Sequence, residues 1–155
     1  MKHNYIDNYN TENWAEAKKG LEKYLKENPD LHYEMALLAS VYKEMGDIDK
    51  AMFKVSEALE LGRSCPNVLW YFAAISEAYG RDDWARTTWR HLLHLGKGGL
   101  SKSICKIDRD EILSILNDSR YRLYFSYKEE DKSLAMRYLT LYNKYLKEGV
   151  KSIYE

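Results

Sequence analysis

Met35-Ala36-Leu37-Leu38-Ala39-Ser40-Val41-Tyr42-Lys43-Glu44-Met45-Gly46-Asp47-Ile48-Asp49-Lys50-Ala51-Met52-Phe53-Lys54-Val55 is the stretch on which the fold turns. Met35, Leu38, Ala39 and Tyr42 recur at three- and four-residue steps, which puts them on one stripe of a helix, and that stripe must be buried. Gly46 then suits a left-handed C-cap, and Asp47 can cap the helix that carries Ala51 and Val55. The unit reads as two helices joined by a tight turn.

The pattern repeats. Ala17, Ala51 and Ala85 follow one another at intervals of 34 residues, and Gly46 and Gly80 are separated by the same interval. A second unit offers Leu69, Phe72-Ala73, Gly80, Ala85 and Trp89 at matching places, with Ser76 where the first has Tyr42. Upstream, Ala17, Leu21 and Pro29 look like the second helix and closing proline of a unit whose first helix is missing. Downstream, Leu123, Tyr127, Ala135 and Leu139 form a looser unit, with a turn at Glu129-Glu130-Asp131 about one residue short. Ala39, Ala51, Ala73 and Ala85 fall where two antiparallel helices approach closely, and a large side chain there would force them apart.

Period and motif together resemble the tetratricopeptide repeat, firmly over residues 12 to 95 and loosely over 118 to 147. The resemblance implies an all-α, short right-handed solenoid of antiparallel helix pairs. The pattern predicts about seven helices, near 12-27, 31-44, 47-60, 66-79, 82-95, 109-128 and 131-147. Residues 1-11 read as a loose N-terminus and 12-95 as repeats. The glycine-rich run 96-107 reads as a linker, 108-148 as a C-terminal helical pair and 149-155 as a tail. Asp30 is expected to cap the helix opening at Leu31, and Asp108 with Glu111 forms an analogue of a capping box.

Composition narrows the function. The 155-residue chain is 45% hydrophobic and 31% charged, enough for one folded domain. Lys plus Arg equals Asp plus Glu at 24 each, so no net field draws nucleic acid or an anionic membrane. Arg109, Arg120, Arg122 and Arg137 lie among tyrosines, but Asp108, Asp110, Glu111, Glu129, Glu130 and Asp131 surround them, so ion pairs account for the mixture. No apolar run has the length of a signal peptide or bilayer span. Cys65 and Cys105 stand apart with no CxxC pair, and are expected to be reduced thiols in a cytoplasmic protein.

Chemistry-bearing motifs are weak. The run Gly96-Lys97-Gly98-Gly99 lacks the Gly-Lys-Ser triplet and preceding strand of a phosphate loop. His91 and His94 share a helix face without further ligands, so no metal site is expected. Ser101, Ser103 and Cys105 lack any nucleophile signature. No cofactor and no catalytic residue is expected.

The 14 tyrosines and 4 tryptophans exceed what repeat packing consumes. In tetratricopeptide arrays the first helix of each unit lines the concave face. The resemblance therefore implies a groove lined by Tyr33, Ala36, Ser40 and Lys43, then by Asn67, Trp70, Tyr71, Ala74 and Glu77, then by Tyr121, Phe125 and Lys128. Trp70, Tyr33 and Tyr71 are the leading anchors for a peptide or helix of a protein partner. The same aromatics read equally well as packing against the C-terminal helices. The carboxylate clamp of co-chaperone members is absent, since Tyr33, Leu37, Trp70 and Tyr71 occupy its places. Two alternatives stay open: a secretion-type chaperone for an exported protein, and a homodimer, since one face of the helix at 12-27 lies uncovered unless residues 1-10 or another copy shields it.

Overall fold

The computed structural model describes residues 4-155 as eight helices with no strand among them: α1 (Tyr5–Asn10), α2 (Trp14–Glu27), α3 (His32–Glu44), α4 (Ile48–Leu61), α5 (Pro66–Ala78), α6 (Asp82–Ser101), α7 (Arg109–Tyr127) and α8 (Lys132–Lys147). His3 lies outside the described residues. Each helix packs on the next, and α3, α5 and α7 also touch in succession, which makes them one row of a two-row stack.

The stripes explain the rows. In α4, Ala51, Val55 and Ala58 are buried at steps of four and three residues, while Phe53 on the opposite side is exposed. In α3 every residue from Met35 to Tyr42 is buried, because α2, α4 and α5 enclose it. The predicted close-approach positions Ala39, Ala51, Ala73 and Ala85 have no exposed surface.

Two turns share one geometry. Gly46 (φ +83°) and Gly80 (φ +89°) occupy left-handed backbone. The Gly46 N–H donates to the Lys43 carbonyl and the Asp47 N–H to that of Tyr42; Gly80 and Arg81 repeat this on Glu77 and Ser76. This is the Schellman arrangement, and it reverses the chain within two residues. At the α7–α8 junction no glycine is present. Glu130 and Asp131 both donate to Tyr127 O, and Asp131 caps α8 by accepting from the Leu134 N–H at 3.0 Å. Asp47 and Asp108 cap as expected, at 3.3 Å to Lys50 N and 2.9 Å to Glu111 N. Asp30 does not: the residue before α3 is Leu31, with no side-chain cap.

Two boundaries differ from the sequence reading. Residues 5-10, placed in a loose terminus, form α1, which buries Tyr5 beside Ala17 and Leu21. Of the two covers open for the face of α2, residues 1-10 or another copy, the chain's own Tyr5 packs there. Residues 96-101, placed in the linker, continue α6 beyond a kink at Gly96 (φ +60°), because Leu100 is driven into the core with Leu92 and Ile112. The tail also packs: Ser152 Oγ donates to Asp118 at 2.5 Å, and the Tyr154 ring stacks on Tyr121 with centroids 4.5 Å apart.

Candidate functional site

The row α3–α5–α7 presents the residues expected in the groove, and the chain itself occupies much of it. Tyr9 of α1 lies over the α3–α5 junction, with its hydroxyl 3.1 Å from Ser40 Oγ and 3.2 Å from the Tyr71 hydroxyl. Burial, and then the neighbouring Tyr9, push the Tyr71 phenol well above the usual tyrosine range. Ser40 is buried, so it and Tyr71 are structural contacts of α1.

Trp70 packs against the core cluster of Leu69, Trp89, Leu100 and Ile112, the alternative that the sequence left open for the aromatics. Glu77 forms an ion pair with Arg122 of α7, whose guanidinium lies 5.1 Å from the Trp89 ring centroid. Burial works against the Arg122 charge, but the Glu77 contact outweighs it and holds the guanidinium above its usual value. Tyr121 is covered by Tyr154, whose phenol burial pushes up to about 12. Lys43 pairs with its neighbour Glu44 at 2.7 Å.

Tyr33, Asn67 and Phe125 remain accessible. Phe125 is 41% exposed, edge-on to Tyr121 at 4.9 Å, with the Lys128 ammonium 4.8 Å from its centroid. Tyr33 is 39% exposed. It borders a recess of about 350 Å³ whose wall also holds His32, Asn67, Cys105 and Glu111. Burial, followed by Tyr9 and Glu111, raises the Tyr33 phenol.

At the rim of that recess the expectation of two reduced thiols fails. Cys65, just before α5, and Cys105, in the segment before α7, are joined in a disulfide with Cα atoms 5.6 Å apart. The kink at Gly96 and the loop after Ser101 fold the chain back so that residue 105 returns to the start of α5. The thiol argument for a reducing, cytoplasmic compartment goes with it. His32, the first residue of α3, places Nε2 2.8 Å from Cys105 Sγ. His91 and His94 are exposed and belong to no group of three potential ligands among the described residues, whereas His32, Cys65 and Cys105 form one. Ser103 shapes the loop: its hydroxyl accepts from the Cys105 N–H at 3.2 Å.

Tyr9 was missed by the sequence reading, and its i, i+4 spacing from Tyr5 is the one local signal, too short to mark a helix by itself. The His32–Cys65–Cys105 convergence had no sequence signal, since it depends on where the α6 kink sends the chain.

No protein-family model matches the chain, and no curated protein matches it in sequence. Solved structures do match in shape. A chain in the structure of Naa15/Naa10 bound to HypK-THB aligns with a TM-score of 0.53 at 20% identity, covering 90% of this chain and 24% of that one. The crystal structure of MamA aligns with a TM-score of 0.53 at 11% identity, covering 94% of this chain and 95% of that one. The fold is a tetratricopeptide-type helical solenoid. This chain spans about a quarter of the length of the Naa15/Naa10 chain it matches, and almost the whole of MamA. No helix among the described residues is long and apolar enough to cross a membrane.

Proposed function

We propose that the chain is a protein-interaction module, not an enzyme, that takes an extended peptide segment of a partner at the open part of its inner row, around Tyr33 and Asn67. The observation that carries this is the recess itself. It leaves Tyr33 accessible on the inner row, and it pairs that aromatic with an amide, a carboxylate and the Lys106 ammonium. Tyr33 supplies contact area at low entropic cost, and the Asn67 amide can both donate to and accept from a peptide backbone. Glu111 and Lys106 both line the recess, so an ion pair with a peptide side chain of either sign is open there. The fold supports the reading by analogy, since the matched Naa15/Naa10 structure is a protein assembly. Trp70 and Tyr71 leave the anchor set because core and α1 contacts hold them.

A displayed library of random peptides, selected against the full oxidised chain, tests this. Selected peptides are expected to lose at least about fivefold in affinity on Tyr33→Ala, an effect of about 1 kcal/mol. They should be unaffected by Phe53→Ala on the opposite face. Peptides equally sensitive to both, or to neither, would place the site elsewhere.

A further inference from the structure

His32, Cys65 and Cys105 come from three separate segments, yet their donor atoms all lie within 4.8 Å of one another. The convergence is built into the surrounding packing. Cys65 is buried, and its N–H donates to the Gly62 carbonyl at 3.0 Å, which fixes the turn before α5. Gly62 makes room for the imidazole: a Cβ there would lie 2.7 Å from His32 Cδ2 and 2.9 Å from Cγ. Ser103 holds the loop that carries Cys105, and His32 Nε2 points at Cys105 Sγ from 2.8 Å. An imidazole nitrogen aimed at a disulfide sulfur gains only a weak hydrogen bond. The same nitrogen beside two thiolates completes a soft donor set.

We propose that the reduced form of this cluster is a zinc site, with Cys65 Sγ, Cys105 Sγ and His32 Nε2 as its three protein ligands and the fourth position open to the recess. Nitrogen and thiolate ligands at zinc distances of about 2.0 to 2.3 Å stand roughly 3.5 to 3.8 Å apart around a tetrahedral ion. Once the sulfurs part, the donors, now within 4.8 Å of one another, have to adjust to that spacing, and the loop at 102-107, where exposed and half-buried residues alternate, is the segment that yields.

The chemistry balances in two steps. A dithiol reductant delivers two electrons and two protons, the sulfur–sulfur bond breaks to give two thiols, and the reductant closes to its own cyclic disulfide. Zinc then binds both sulfurs as thiolates and releases two protons to water, while the neutral imidazole donates its Nε2 lone pair. The oxidised chain has no thiolate to offer, so metal binding is gated by redox state. This inference does not depend on peptide binding at Tyr33.

Cobalt(II), a spectroscopic stand-in for zinc, tests the site on the full chain, reduced by a phosphine and freed of reductant and oxygen. One equivalent is expected to produce a thiolate-to-cobalt charge-transfer band that zinc abolishes by displacement, and the oxidised chain should give none. Cys105→Ser, in the loop before α7, should remove the band. His32→Ala should weaken cobalt affinity by more than about tenfold, the scale on which even outer-shell changes weaken metal sites. Far-ultraviolet circular dichroism separates a lost ligand from a lost fold. A reduced, folded wild-type chain without the band would overturn the proposal. So would a band that survives Cys105→Ser, or an affinity unchanged in His32→Ala.

Discussion

Ser76 is a residue where the local chemistry works against the fold. It is fully buried on α5, and its hydroxyl has no hydrogen-bond partner among the described residues. Its counterpart in the preceding unit, Tyr42, solves the same position differently: its ring packs in the core while its hydroxyl donates to Glu22 at 2.8 Å. Serine is too short to reach such a partner. An unpaired buried hydroxyl costs roughly 1 to 3 kcal/mol, while the favourable term it forgoes is smaller. Ser76→Ala is therefore expected to leave stability unchanged or raise it by about 1 kcal/mol, measured by urea unfolding with the slope held constant. A loss beyond about 1 kcal/mol would mean that the hydroxyl is paired in solution. The sequence shows Ser76 as a departure from its own repeat. Its place on the buried stripe followed from the repeat, but that the hydroxyl finds no partner follows only from the packing of α5 among α3, α4, α6 and α7.

At the scale of elements, legibility tracks local chemistry. The helices from α2 to α5 could be drawn from their stripes because the turns within the units carry their own instructions. The glycines at 46 and 80 allow left-handed backbone, and the next residue's N–H closes the helix end. Gly80→Ala would impose a β-carbon on φ +89° although no neighbour obstructs it. The cost is therefore conformational, about 1 to 2 kcal/mol. Thermal unfolding should report it, and Gly98→Ala, in α6 with open space around it and no positive φ, is the control expected to raise stability by up to about 1 kcal/mol. Two elements were illegible for opposite reasons. At six residues, α1 is too short to announce itself by periodicity, and it persists because Tyr5 and Tyr9 pack on α2, α3 and α5. The end of α6 carries three glycines that argue against helix, yet burying Leu100 outweighs their propensity cost of about 1 kcal/mol each. The candidate groove was half legible for the same reason. The inner-row positions followed from the repeat, but the elements that cover Ser40, Tyr71 and Tyr121 lie at the two ends of the chain, where the repeat is silent.

Across the whole molecule, the Cys65–Cys105 bond encloses α5 and α6 in one loop with a sequence separation of 40 residues, for which loop-closure entropy predicts about 4 kcal/mol of stabilisation through the unfolded state. Those two helices supply Leu69, Ala73, Ala85, Trp89 and Leu92 to the cluster that α7 completes, so the crosslink spans the middle of the array and not a fraying end. Stacked repeats hold one another only through neighbours, and loosening the middle uncouples the two ends. Reduction of the metal-free chain is therefore expected to lower the unfolding free energy by up to about 4 kcal/mol. It should also broaden the transition as α1–α4 and α7–α8 begin to melt separately. Denaturant unfolding followed by circular dichroism, with and without a phosphine reductant, measures both effects. A Cys65→Ser, Cys105→Ser double variant should match the reduced wild type and ignore the reductant. If the reduced chain unfolds at the same denaturant concentration and with the same slope, helix packing alone holds the centre and the crosslink contributes nothing to it.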